Sequence, residues 1–146
     1  MTAMLKSQNC LRYNMRVLLD TSCLLWALTG SSKADPIKEY LVDPRNEIYF
    51  SSVSIWEIML KHAKKKLDVP PAEAYKNAIK QKYIELPVNA FHINEIGSLN
   101  KPGELDHNDP FDRILIAQAK YENLSFYTSD RKIAGYSEPC INYFQV

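Results

Sequence analysis

The fold of this chain is decided by the stretch Met15-Arg16-Val17-Leu18-Leu19-Asp20-Thr21-Ser22. Its three apolar residues between Arg16 and Asp20 predict a short strand buried on both faces, which is typical of the centre of a parallel sheet. Residues 23–28 then predict a buried helix that is capped by a polar residue of the same stretch. Asp20 therefore stands at the carboxyl end of a strand, where open α/β sheets bind their ligands. A purely structural role as helix cap explains Asp20 equally well.

Composition predicts one globular domain without a membrane segment. The chain has 146 residues, of which 46% are apolar and 24% charged, as in ordinary soluble proteins. No apolar run approaches the roughly 20 residues needed to cross a bilayer. Cys10, Cys23 and Cys140 form neither a disulfide framework nor a zinc-binding spacing, which favours a cytoplasmic location. The net charge of +1 neither favours nor excludes a nucleic-acid partner.

Strand-like and helix-like segments alternate along almost the whole chain. Residues 1–14 are polar and aperiodic and predict a flexible leader, followed by a single domain over residues 15–146. Beyond the first strand we expect strands at residues 47–51, 83–87, 124–128 and 140–144. We expect helices at residues 36–42, 55–66, 72–81, 89–99 and 110–121, the first of them capped by Asp35. Such alternation predicts a parallel sheet covered by helices on both faces.

The helix expected over residues 55–66 contributes to both the core and a candidate site. Apolar residues recur in it at four-residue spacing and predict a core-facing stripe made of Ile55, Met59 and Ala63, with Ile58 alongside. Ser52 or Ser54 is the expected cap. Glu57 follows Trp56 inside this apolar run, where a solvated carboxylate is hard to explain.

Four acidic residues hold similar positions relative to the predicted elements. Asp20 and Asp130 follow strands, whereas Glu57 and Asp112 lie near the starts of helices. Parallel strands joined by right-handed crossovers bring all these positions to one edge of the sheet. Clustered carboxylates repel one another unless a cation neutralises them, and oxygen ligands without His or Cys suit Mg²⁺ or Mn²⁺ rather than zinc. Such a site activates water for in-line attack on a phosphodiester.

Structural roles remain open for these acids. Asp109 and Asp112 fit the first turn of a helix without any catalytic purpose. Glu57 could form an ion pair with Lys61, four residues further along a helix. Asp130 could be a simple turn or cap residue.

Four segments resemble the acidic segments of PIN domains and occur in that family's order: residues 18–28, 52–58, 109–119 and 127–130. The forms Asp-Pro-Phe-Asp-Arg and Trp-Glu-Ile are most similar to the VapC toxins of bacterial type II toxin–antitoxin pairs. The resemblance implies a three-layer α/β/α fold with a mostly parallel sheet of four or five strands. It also implies a ribonuclease that depends on Mg²⁺, with Mn²⁺ as the alternative ion, forms a homodimer and is blocked by an antitoxin.

The resemblance assigns both catalysis and metal binding to one quartet of acids: Asp20, Glu57, Asp112 and Asp130. Asp112 is favoured over Asp109 because it stands at the family's distance from the alanines that follow. Thr21 is consistent with the family's metal site, whereas Ser22 stands where many members have Asn.

A cluster of lysines offers contacts for an RNA backbone. Seven lysines between residues 61 and 82 are accompanied by only two acidic residues. Lys61 from this cluster and Arg113, beside Asp112, are the expected phosphate contacts, and Thr21 completes the predicted substrate-binding residues. A solvated helix face is the alternative explanation for the lysines.

Two other functions compete with the nuclease as explanations of this sequence. An Asp-nucleophile phosphatase would need a second Asp two residues after Asp20, where Ser22 stands. A catalytically inactive PIN-like module that binds RNA or protein is the stronger alternative, although the presence of all four acids argues against it.

Overall fold

The computed structural model of the protein describes residues 14–100 and 109–146. Its sheet has five strands, and every neighbouring pair is parallel. The strands are β1 (Arg16–Leu19), β2 (Glu47–Ser51), β3 (Ile84–Leu86), β4 (Ser125–Thr128) and β5 (Ile141–Tyr143), in the spatial order β3-β2-β1-β4-β5. Residues 1–13, which make up most of the predicted leader, and residues 101–108 lie outside the described residues.

The central strand β1 is buried on both sides, as its apolar run predicts. Val17 and Leu19 pack into the core on one face of the sheet, and Leu18 packs into the core on the other. All three side chains are completely buried. Successive side chains of a strand point to opposite faces, so one short segment anchors both layers.

Seven α-helices occur in the described ranges: α1 (Thr21–Thr29), α2 (Lys38–Val42), α3 (Ser52–Ala63), α4 (Pro71–Lys80), α5 (Ala90–Glu95), α6 (Pro110–Glu122) and α7 (Arg131–Ala134). Side chains of α1, α3 and α4 pack in the core that contains Val17 and Leu19. Side chains of α6 and α7 pack in the other core, which contains Leu18. The predicted α/β/α fold with a parallel sheet is therefore confirmed. None of the described helices is both long and apolar enough to span a bilayer.

The segment expected to be one α-helix over residues 36–42 is divided. A 3₁₀ helix covers Ser32–Ile37 and is capped by Ser31, not Asp35, and α2 begins only at Lys38. Ala34 and Ile37 are the buried residues of the 3₁₀ helix, and their three-residue spacing matches its three residues per turn.

Helix α3 begins earlier than expected and faces the core with other residues. Ser51, not Ser52 or Ser54, caps it by accepting a 3.1 Å hydrogen bond from the N–H of Val53. The predicted core-facing stripe is wrong at two of its residues: Met59 is 44% exposed, and Ala63 is exposed too. Ile58 is completely buried, as predicted, and Ile55 is partly buried against the same core. The buried residues of α3 are Val53, Ser54, Glu57 and Ile58. Apolar spacing misplaced the face because the buried side of α3 carries two polar residues.

The helix expected over residues 89–99 is also split, into α5 and a 3₁₀ turn at Ile96–Ser98. Asn89 and His92 form a reciprocal capping box at the start of α5. His92 is completely buried, and its Nε2 lies 2.8 Å from Oε1 of Glu122, at the end of α6. This histidine therefore joins two helices, a structural role consistent with the absence of any catalytic pattern around it.

Candidate active site

The carboxyl ends of the strands border a cavity of about 910 Å³. β1 and β4 are neighbours, so Asp20, directly after β1, and Asp130, two residues after β4, stand at the same edge of the sheet. Helices α3 and α6 bring Glu57 and Asp112 to that edge. The structure thus places all four predicted acids in the wall of one cavity, and Asp109 lines it as well.

Asp20 combines the two roles that its sequence position leaves open. It caps α1, because its Oδ1 accepts a 2.7 Å hydrogen bond from the N–H of Cys23. It also lines the cavity, although only 4% of its surface is exposed. Burial raises the pKa of Asp20, although hydrogen bonds from Thr128 and Cys23 stabilise its charged form. A cation in the cavity would offset that cost.

Thr128 connects the two acids at the strand ends. Its hydroxyl donates to Oδ2 of Asp20 and accepts a 3.0 Å hydrogen bond from the N–H of Asp130. Asp130 in turn caps α7 by accepting from the N–H of Lys132. The sequence analysis assigned no role to Thr128. Its place at the last position of a strand leading to an acid was the available signal.

Glu57 is only 8% exposed, and just one of its two carboxylate oxygens has a partner among the described residues. Its Oε2 lies 2.9 Å from the ammonium group of Lys61, which confirms the ion pair that the helical spacing allows. Its Oε1 is buried and has no hydrogen-bond partner among the described residues. A buried carboxylate oxygen without a partner is costly, so this atom is suited to a ligand held in the cavity.

Asp109 and Asp112 share the first turn of α6 but differ in environment. Asp109 is exposed and caps the helix, accepting from the N–H groups of Phe111 and Asp112. Burial, then repulsion from the surrounding carboxylates, raises the pKa of Asp112 to about 8. The carboxylates that contribute are Asp109, Glu57, Asp130 and Asp20, in that order. The acids therefore act on one another electrostatically.

The three predicted substrate-binding residues are placed differently. Thr21 lines the cavity, and its hydroxyl donates a 2.9 Å hydrogen bond to Ser54. Lys61 also lines the cavity but is bound to Glu57. Arg113 is not one of the cavity-lining residues. Two other cations line the cavity, Arg131 and Lys132, which were not among the predicted substrate-binding residues.

The residues of the cavity fit a hard divalent cation by their chemistry. All the acidic ligands offer oxygen, and one buried oxygen of Glu57 has no protein partner among the described residues. In the described ranges, however, no three His, Cys, Asp or Glu side chains are already arranged to hold a metal ion. Metal binding would therefore require side chains of this cavity to turn toward a common point.

A model of the PIN domain family matches residues 17–139, which is most of the chain. This protein belongs to the PIN domain family. PIN domains are generally nucleases that use divalent metals, so membership supports hydrolytic activity on nucleic acids at the acidic cavity. A comparison with curated protein sequences gives no match.

Solved structures with a similar fold come from toxin–antitoxin systems. The structure of VapBC2 from Rickettsia felis, bound to a DNA fragment from its promoter, contains a chain that is 18% identical with a TM-score of 0.66; the match covers 90% of this chain and 100% of that one. A toxin–antitoxin complex from Klebsiella pneumoniae matches at 19% identity and a TM-score of 0.59, covering 89% and 99%. The structure of VapBC-1 from nontypeable Haemophilus influenzae matches at 16% identity and a TM-score of 0.60, and the match covers 90% of this chain and 98% of that one. At such identities the likeness concerns the fold of this PIN domain.

Proposed function

We propose that this PIN domain is a metal-dependent endoribonuclease, the toxin of a type II toxin–antitoxin pair. The observation that carries the proposal is Glu57, which has one buried oxygen without a partner among the described residues and lines the same cavity as Asp20, Asp112 and Asp130. An acid buried in this way is expensive unless a cation or water uses its free oxygen.

The proposed cofactor is Mg²⁺, with Mn²⁺ as a substitute, held by Asp20, Glu57, Asp112 and Asp130. The ion would lower the pKa of water and stabilise the charge that develops on the phosphate. Thr128 orients Asp20 by hydrogen bonding to its Oδ2, and Lys61 fixes Glu57 by pairing with its Oε2. Water attacks in line with the bond to the 3′ oxygen, so we expect products with a 5′-phosphate and a 3′-hydroxyl.

Substrate contacts are proposed at the margin of the same cavity. Thr21 lies beside Asp20 in the cavity wall, and its hydroxyl already donates to Ser54, so its backbone N–H in the first turn of α1 is the proposed donor to an RNA phosphate. Arg113 lies one residue beyond Asp112 but outside the cavity wall, and would reach only RNA that extends past the cavity.

The assembly is proposed by analogy with the solved complexes. The Rickettsia felis, Klebsiella pneumoniae and Haemophilus influenzae structures are all of toxin–antitoxin systems. We infer that this chain likewise pairs with an antitoxin that covers the cavity, and that it acts in the cytoplasm as a homodimer.

The proposal is tested by incubating the purified protein with total cellular RNA in Mg²⁺, in Mn²⁺ and in EDTA. The key variant is Asp20→Asn, because Asn caps helices as well as Asp while removing the charge. Asp68→Asn removes a charge from an exposed residue outside the cavity and serves as the matched control. We expect discrete fragments only with metal, and only from the wild type and the control.

Two results would contradict the proposal. Cleavage by folded Asp20→Asn at the wild-type rate would remove the acidic cavity from the mechanism. Absence of cleavage by folded, antitoxin-free wild type, together with weak Mn²⁺ binding, would favour a catalytically inactive PIN-like module.

A further inference from the structure

The cavity that contains the acids is negatively charged overall, which poses a problem for a nucleic-acid substrate. Five acidic residues line it against three basic ones: Lys61, Arg131 and Lys132. Lys61 is already engaged with Glu57. A phosphodiester approaching the remaining carboxylates would be repelled, and one divalent ion would do little more than balance the charge.

Arg131 and Lys132 are the cavity cations that remain available. Both side chains are exposed, and neither forms an ion pair with any residue in the described ranges. They follow Asp130 directly, so their charges lie at the border of the acidic cavity.

The backbone that carries these two cations is fixed on both sides. Asp130 accepts a 2.9 Å hydrogen bond from the N–H of Lys132, and Ile133, the next residue, is 99% buried (1% exposed) in the core. Two exposed cations on an anchored turn lose less conformational freedom on binding than cations on a mobile loop.

We propose that Arg131 and Lys132 form a phosphate-binding subsite that holds the RNA backbone beside the acidic cavity. The proposal rests on the proposed nuclease function and deepens it. The subsite would bind the phosphates next to the one that is cut, since the acids themselves occupy the centre. Lys61, because it is paired, acts by positioning Glu57 and contributes little to RNA binding.

The lysines further along the chain are the competing route for RNA. Lys64 and Lys66 are exposed and lie in the basic cluster that follows α3. They do not line the cavity. Removing two charges there provides a control that matches the removal of two charges at the subsite.

The test measures binding of a fluorescein-labelled oligoribonucleotide of mixed sequence over a range of salt concentrations. All proteins carry Asp20→Asn so that the RNA stays intact. In this background, Arg131→Gln with Lys132→Gln should weaken RNA binding roughly tenfold. It should also make the negative slope of log K against log salt, where K is the association constant, less steep by about 1.4. Lys64→Gln with Lys66→Gln should change the slope much less.

Kinetics on the otherwise wild-type protein give an independent reading. Loss of a phosphate contact made equally in the ground state and the transition state raises KM and leaves kcat unchanged. We expect a raised KM with an unchanged kcat for the Arg131/Lys132 double variant. For the Lys64/Lys66 double variant we expect the KM of the wild type. Circular dichroism and urea unfolding would confirm that each variant is folded.

An unchanged salt slope in the folded Arg131/Lys132 variant would overturn the subsite. A large decrease of the salt slope in the Lys64/Lys66 variant alone would also overturn the subsite. It would indicate that the RNA binds along the lysine cluster. If the wild type cleaves no RNA, the proposed function fails. If it cleaves and both double variants behave as wild type, only the subsite fails.

Discussion

Replacing Asp112 by Asn should stabilise this protein at pH 8 while abolishing the proposed activity. Burial and the neighbouring acids raise the pKa of Asp112 to about 8, so holding it charged in the folded state costs free energy. Asn has the same shape and carries no charge. A residue that weakens the fold and is nevertheless present is typical of a functional site.

The size of the effect follows from the pKa. The ordinary pKa of this group is 3.8, and a rise to about 8 corresponds to at most about 5.7 kcal/mol of unfolding free energy. Part of the side chain meets solvent, which screens its charge, so we expect about 1–2 kcal/mol.

The pH dependence has a definite sign. Between pH 3.8 and about 8 the unfolded chain has lost the proton of Asp112 while the folded chain still holds it. The contribution of this group to stability is therefore complete below pH 3.8 and declines until pH reaches about 8. The advantage of Asp112→Asn should be near zero at the acidic end and largest at pH 8 and above.

Urea unfolding in EDTA at several pH values measures this difference directly. Asp109→Asn is the matched control, since it removes a charge from the same turn and keeps the helix cap. Its gain should be less than half that of Asp112→Asn. A loss of stability for Asp112→Asn at pH 8, or a gain that does not grow with pH, would refute the reasoning. Addition of Mn²⁺ should stabilise the wild type and leave Asp112→Asn almost unchanged.

Three further predictions concern the residues that hold the site in place. Thr128→Val removes the hydroxyl that joins Asp20 to Asp130 and should cost about 1–3 kcal/mol in urea unfolding; Thr128→Ser should restore most of it, and equal losses in both would argue against the hydroxyl. His92→Ala removes the completely buried ring that completes the capping box and bonds Glu122, and should cost about 2–4 kcal/mol while cleavage per folded molecule stays constant; a change in kcat would mean that the histidine does more than join two helices. Trp56→Ala removes the edge-to-face contact between Trp56 of α3 and Phe111 of α6, whose ring centroids lie 5.0 Å apart, and should lower the free energy of unfolding by about 1 kcal/mol. Thermal unfolding measures this loss, and an unchanged stability would mean that other contacts hold the two helices together.

The five strands and their order along the chain could be predicted from the amino-acid sequence, although two of the predicted helices are divided in the structure. The apolar run at Val17–Leu19 predicts a strand buried on both faces, and the alternation that follows predicts a parallel sheet between helices. Because parallel strands end at one edge, the same pattern brought Asp20 and Asp130 together without knowledge of any contact. Local signals were sufficient for the strands, which short apolar runs mark, whereas the caps of α3 and of the 3₁₀ helix at Ser32–Ile37 were predicted at the wrong residues.

Contacts between atoms of distant segments could not be predicted from the sequence. The exposure of Met59 on α3 could not be predicted from apolar spacing, because two polar residues of this helix are buried: Ser54 accepts a hydrogen bond from Thr21, and Glu57 lines the cavity. The bond from Thr128 to Asp20 joins residues 108 positions apart. The free oxygen of Glu57 likewise depends on everything packed around it. Long-range packing sets these features, and a linear pattern of residue types carries no distances between segments.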